Sequence, residues 1–233
     1  MLGTRPVRGR PAREEMEPLF PPWANTATWL VLGLGAVIVI GVPLALWIWV
    51  RTPYVTGEHE PPEQPVEFDH RHHVRDDGIG CLYCHFDAER SPTAGVPPTE
   101  LCMGCHGQIW NESPLLQPVR ESFFTGAPIR WRRVNSLPDF VFFNHRIHIN
   151  RGVGCVSCHG RVDTMPRVFQ AAPLTMAWCL DCHRQPERFL QPPETVADPD
   201  WVPPAGEARL ALGRELRERL GVNPPTNCSA CHR

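Results

Sequence analysis

Lysine is missing from this 233-residue chain, whose 23 basic residues are all arginine. The absence removes the ε-amine as a ligand to any metal centre. A strong excess of one charge is missing as well. The formal net charge is -2, which points neither to nucleic acid nor to a generally acidic partner. Aliphatic residues concentrate near the N-terminus, and the 27 prolines keep regular elements short across the remainder. That remainder has little material for a conventional core, so something other than aliphatic packing must order it.

No cysteine is left over from a single pattern. All ten fall into Cys-x-x-Cys-His, in five copies that begin at Cys81, Cys102, Cys155, Cys179 and Cys228. The second cysteines are Cys84, Cys105, Cys158, Cys182 and Cys231, and the histidines are His85, His106, His159, His183 and His232. This is the attachment pattern of haem c. Two thiols separated by two residues reach the two vinyl groups on one edge of the macrocycle, and the next histidine lies under the iron as proximal ligand. A disulfide framework has no use for a histidine after every second cysteine. Zinc ribbons pair their Cys-x-x-Cys units, and five units leave one unpartnered. A thioredoxin-like motif comes singly in an α/β pattern, which is absent. Five haems are therefore expected, attached outside the cytoplasm.

The N-terminal segment tests that placement independently. No charged residue lies between Glu17 and Arg51, and the apolar stretch 28–50 would span about 34 Å as a helix, enough for a hydrocarbon layer of about 30 Å. Trp23 and Trp29 at one end, and Trp47 and Trp49 at the other, suit interfacial belts, and Pro43 is expected to kink the helix. The run is longer than a signal-peptide core and no small-x-small cleavage pair follows it, which favours an uncleaved anchor. Arg5, Arg8, Arg10 and Arg13 should hold residues 1–27 on the cytoplasmic side, with the rest of the chain periplasmic after a single pass through the inner (cytoplasmic) membrane. Residues 51–67, rich in proline and acid, read as an extended linker that lifts the haem domain, 68–233, off the membrane.

The haem domain repeats itself. Phe68-Asp69-His70-Arg71-His72-His73 precedes Gly78-Ile79-Gly80-Cys81, and Phe143-Asn144-His145-Arg146-Ile147-His148 precedes Gly152-Val153-Gly154-Cys155. A second motif follows the first after 21 residues in one unit (68–142) and 24 in the other (143–204), as the positions 81, 102, 155 and 179 show. His70 and His73, like His145 and His148, are three apart, so on a helical turn they share a face and each can reach a different iron. These four are the candidate distal ligands, whereas His59 and His72 read as surface residues. Four distal histidines for five irons leave one short, and methionine is the obvious remaining ligand, with Met165 and Met176 as the candidates. Residues 205–233 hold an amphipathic helix, marked by Leu212, Leu216 and Leu220, expected to pack against the fifth haem.

The Phe-x-His-x-x-His stretch ahead of a haem motif is similar to the multihaem class III cytochromes c. In those the first histidine ligates the next haem in sequence and the second reaches another. Carried over, the resemblance implies that His70 serves the haem of His85 and His145 that of His159. His73 and His148 would then serve the haems of His106 and His183. The whole arrangement more closely resembles the pentahaem cytochrome subunit of alternative complex III, a bacterial quinol oxidoreductase. The residues that carry this are the anchor, the two repeat units, and Val162-Asp163-Thr164-Met165 leading into Leu174-Thr175-Met176-Ala177-Trp178-Cys179. The resemblance implies an iron–sulfur subunit, polytopic quinol-binding membrane subunits and a monohaem cytochrome c as partners, with electrons passing towards a periplasmic acceptor.

The expected fold class is a multihaem cytochrome c: mostly irregular, with short α-helices wrapped around five haems, few strands, and one N-terminal transmembrane helix. The expected role is electron transfer within a larger complex rather than catalysis. A multihaem nitrite or hydroxylamine reductase needs an open iron, and the pentahaem ones typically place lysine there. A stand-alone membrane-anchored quinol dehydrogenase feeding a periplasmic reductase shares the anchor-plus-haems layout, but usually lacks the duplicated histidine units.

Overall fold

The computed structural model describes residues 19–232. The chain divides into two compact units, one ending at Arg51 and the other starting at Thr52.

The first unit is one apolar helix, α1, Trp23–Trp49, and it is the one helix among the described residues long and apolar enough to cross a membrane. It starts five residues ahead of the apolar stretch 28–50, because Trp23–Thr28 continue the helix without a charge or a breaker. Pro43 lacks an N–H, and its ring crowds the carbonyl four residues back. The helix answers with a widened π turn at Val37–Gly41, ending two residues before the proline. At the far end Arg51 donates from its guanidinium to the Trp47 carbonyl at 2.8 Å and lies over the Trp47 ring at 4.0 Å. A cation thus sits where the last carbonyls of the helix lack partners.

In the second unit the named elements are short helices: α2, Thr99–His106; α3, Gln117–Thr125; α4, His145–Asn150; α5, Met176–Arg184; and α6, Gly206–Arg219, with single turns between them. No strand forms among the described residues, and pairing is confined to isolated bridges. Only nine apolar residues are buried among those described, led by Leu190 and Leu216. A core that small cannot by itself hold a unit of this size.

The acidic, proline-rich stretch expected as a spacer is fastened along this unit. His59 N–H donates to the Gln170 carbonyl at 2.9 Å, Gln170 Nε2 returns a bond to Thr56, and Gln64 pairs with the Arg132 backbone in both directions.

Helix α6 has a protein partner that its amphipathic pattern did not name. Its buried residues, Gly213 and Leu216, face the turn Pro186–Arg188 after the fourth haem motif. A Cβ at 213 would overlap the Glu187 carbonyl, so glycine is what permits the contact. Arg209 caps the Arg188 carbonyl, and Arg217 pairs with Glu187 at 3.2 Å.

Candidate functional site

Every Cys-x-x-Cys lies on a helical turn, entered from an extended residue: Gly80, Pro98, Gly154, Thr175 or Asn227. Three residues along one turn place both thiols of each motif on one face. The first, third and fifth motifs open their helices at the first cysteine. The second and fourth sit three residues inside α2 and α5. The duplication is thus visible in local structure.

None of the ten thiols is in a disulfide. Burial pushes Cys155 and Cys182 up to about 11 and Cys158 up to about 12. Reactive redox pairs and metal-thiolate sites have thiols shifted the other way. The environment suits sulfurs that carry no charge, as in a thioether.

The histidines of the repeat meet the histidines of the motifs. His145 and His159 face each other with ring centroids 6.3 Å apart and planes within 5°. His73 faces His106 at 6.1 Å, and His148 faces His183 at 6.1 Å. His70 is held down to about 4, by burial first and then by the neighbouring His85 and His73. A transition-metal ion bonded at about 2 Å to one nitrogen of each of two opposed imidazoles holds the centroids about 6 Å apart. The three measured spacings fit that geometry. Burial also pushes His159 down to about 4 and lowers His148, which keeps these rings neutral with a lone pair to give.

The other ring nitrogen settles the tautomer. Nδ1 lies on a backbone carbonyl in His73 (Asp69, 3.0 Å), His85 (Gly95, 3.1 Å) and His106 (Ile109, 3.1 Å). The same holds for His145 (Pro92, 3.1 Å), His148 (Asn144, 2.8 Å) and His183 (Pro225, 2.7 Å). A carbonyl only accepts, so Nδ1 carries the proton and Nε2 is left free, the arrangement that orients imidazole ligands of metals. For His159 the neighbour is the Asn135 side chain, with Nδ2 3.1 Å from Nδ1 and the amide oxygen buried without a partner. Turning that amide over puts its oxygen on the Nδ1 proton and satisfies both groups. His70 and His232 have a buried Nδ1 with no partner.

His72 is different. Its two nitrogens lie near Asp76 and Asp77, and the ring stacks on the exposed Trp110. His59 stands edge-on to Phe169, on the strapped N-terminal stretch. His72 meets the candidate ligand His73 edge-on at 5.6 Å, but among the described residues neither His72 nor His59 makes a ring contact with a motif histidine.

The repeated phenylalanines were not given a role by sequence reasoning. Phe68 stacks on His73 at 4.3 Å and meets His70 edge-on at 4.7 Å; Phe143 does the same to His148 at 4.4 Å and His145 at 4.7 Å. One aromatic ring fixes both histidines of each unit. The signal was present in the sequence as the invariant first position of the two stretches. The paired glycines also separate into two roles. Gly78 and Gly152 have positive φ, 71° and 81°, which an L side chain rarely adopts. Gly154, unlike Gly80, makes room for the Gln191 side chain.

A charge network was likewise hidden. The buried Asp163 carboxylate takes Arg75 at 2.5 Å and Arg161 at 2.8 Å, and both arginines also reach Asp200. The four residues tie the first histidine turn to the loop after the third motif and to the segment ahead of α6.

The two methionine candidates sit in unlike places. Met165 is buried, with its methyl group near Gly160, beside the third motif. Met176 is 65% exposed, at the first position of α5. Among the described residues His232 has no ring contact with another histidine; it meets Phe140 at 5.6 Å.

Among the described residues no cluster of three or more His, Cys, Asp or Glu could hold a metal ion. Two opposed imidazoles beside a pair of thiols supply axial ligands and thioether anchors, which fits a metal whose other four ligands come from a macrocycle.

Comparison with known proteins agrees with this chemistry. Residues 141–233 match the family described as cytochrome c7 and related cytochrome c. A curated relative is the multihaem cytochrome c subunit of menaquinone reductase from Nitratidesulfovibrio vulgaris. The two are 33% identical over 129 residues, which cover 54% of this chain and 60% of that protein. Residues 141–233 thus resemble multihaem cytochromes c, and the described residues are helical, with one N-terminal apolar helix.

Proposed function

We propose that this chain is a membrane-anchored electron carrier holding five haem c groups, and that it works as the cytochrome subunit of a quinol-oxidising complex of the alternative complex III type. The observation that carries the reading is the set of opposed imidazoles with Nδ1 tied to carbonyls. Cys81 and Cys84, Cys102 and Cys105, Cys155 and Cys158, Cys179 and Cys182, and Cys228 and Cys231 would anchor the groups. His85, His106, His159, His183 and His232 would be proximal ligands, with His70, His73, His145 and His148 opposite the first four in the order 85, 106, 159, 183.

Haem c exchanges one electron at a time between ferric and ferrous iron. The chain's own residues fix where that exchange happens. Phe68 and Phe143 hold two imidazoles each. The backbone carbonyls hold the ring tautomers. Three of the five sites have two opposed imidazoles, and with His70 opposite His85 a fourth would too, which would leave no room for a substrate at those irons and supports a carrier over a reductase.

For His232 the methionine reading favours Met176. Met165 is already covered by protein next to the third motif. Met176 is exposed on the helix of the fourth motif, whose His183 bonds the segment leading into Cys228. Methionine opposite histidine raises the potential, so the fifth site would be the high-potential one.

Helix α1 would anchor the chain in the inner membrane with its N-terminus cytoplasmic and the second unit in the periplasm, where haem c is attached. The partners would be an iron–sulfur subunit, polytopic quinol-binding subunits and a monohaem cytochrome c. The relative's name favours a second reading of the same layout, in which electrons run from a periplasmic donor towards the quinone.

Purification in mild detergent with haem quantification tests the assignment. Five haems per chain and co-purifying polytopic subunits are expected. Fewer haems, or a stable lone subunit that oxidises quinol, would contradict it. Adding quinol to the oxidised complex separates the two directions: haem reduction by quinol at once supports the first, and quinone reduction by a reduced cytochrome supports the second.

A further inference from the structure

The haem motifs are joined to one another by contacts that do not follow their sequence order. The first and second share one turn of chain, because His73 faces His106 at 6.1 Å and His70, assigned above to the site of His85, sits three residues earlier on the same turn. The third and fourth share another, through His145 opposite His159 and His148 opposite His183. The first and third open onto two consecutive residues: Cys81 Sγ lies 3.5 Å from the Ala197 carbonyl, and Cys155 N–H donates to the Val196 carbonyl at 2.9 Å. The loop after the first motif also supplies the Pro92 carbonyl that holds His145. The fourth and fifth meet where His183 Nδ1 donates to Pro225 at 2.7 Å, three residues before Cys228. Phe142 N–H donates to the Cys231 carbonyl at 2.8 Å, beside the Phe143 that stacks on His148.

We propose that the five haem sites lie in space in the order second, first, third, fourth, fifth, with the sites of His106 and His232 at the two ends. This rests on the five-haem reading above and adds to it the route.

The order has a simple origin in the duplication. The two units pack with their first motifs together at the centre and their second motifs pointing outward. The Asp163 network crosses the same junction, since Arg75 belongs to the first unit and Arg161 to the second. The fifth motif then extends the row from the fourth. The end at His106 lies beside the exposed Trp110, which stacks on His72. Redox partners would meet the row at the second and fifth sites, and the first and third would serve only to pass charge across the junction.

A cryo-electron microscopy map of the intact, haem-loaded complex, with each iron traced to its Cys-x-x-Cys-His, tests this. The expected nearest-neighbour irons are second with first, first with third, third with fourth, and fourth with fifth. Five irons in any other adjacency, such as the second beside the third, would overturn the order alone. Fewer than five irons on the chain would overturn the five-haem reading, and the order with it.

Discussion

The imidazoles of His145 and His159 lie in parallel planes with their centroids 6.3 Å apart, one from the start of α4 and the other from the third Cys-x-x-Cys-His. Neither ring is held by the other. His145 is fixed by the Pro92 carbonyl and by the edge of Phe143, and His159 by Asn135. The spacing is therefore set by two independent supports, as a preorganised ligand pair requires.

Removing one ring should open one iron without releasing its haem. In His145→Ala the thiols Cys155 and Cys158 are untouched, so haem content should stay at the wild-type value. One haem per chain should turn high-spin by low-temperature electron paramagnetic resonance. An unchanged low-spin spectrum would remove His145 from the ligand set.

Phe143→Ala tests the shared aromatic support. The ring stacks on His148 and meets His145, and aromatic contacts of this kind contribute about 1 kcal/mol beyond area burial. Denaturant unfolding should show a loss of about 1 to 2 kcal/mol, and the signals of two haems should broaden. Broadening at one haem only would mean that the ring supports a single histidine.

The Asp163 network predicts an asymmetry. Asp163→Ala strips a buried carboxylate from two guanidinium groups, and breaking a buried pair in this way costs about 3 kcal/mol. Asp200→Ala removes an exposed partner of the same arginines and should cost less than about 1 kcal/mol. Comparable losses in the two variants, read from denaturant midpoints, would place the stabilising contact elsewhere.

Gly213→Ala should destabilise. In an exposed helix the change would gain about 1 kcal/mol from propensity alone. Here the added Cβ meets the Glu187 carbonyl, so α6 must lift from the turn it packs on, at a cost of about 1 to 3 kcal/mol. A rise in thermal midpoint would show that α6 is not seated on Pro186–Arg188.

The methionine assignment separates two variants. Met176→Ala should lower the potential of one haem or leave it high-spin, while Met165→Leu should leave all potentials unchanged. The reverse pattern in a redox titration would assign the fifth ligand to Met165.

Much of the candidate site was legible in the sequence because attachment chemistry is local. Cys-x-x-Cys-His carries its proposed ligand within the motif, and His70, His73, His145 and His148 stand out by repetition at fixed distance from Cys81 and Cys155. What could not be read was whatever depends on contacts between distant segments. Pro92 and Pro225 contribute carbonyls to His145 and His183 across 53 and 42 residues. Asn135 has no pattern that links it to His159. The tie of residues 56–64 to Gln170 and Arg132 rests on side-chain amides that composition alone cannot assign. Helix α6 read as amphipathic, yet its target followed from the space at Gly213, and the π turn in α1 followed from the fit around Pro43.

The most direct test of the central claim is low-temperature electron paramagnetic resonance of the fully oxidised protein, quantified against its haem content. Five haems with both axial positions filled predict low-spin ferric signals alone. A high-spin signal amounting to one haem per chain would contradict the account, because it would reveal an open iron and a site for chemistry rather than passage.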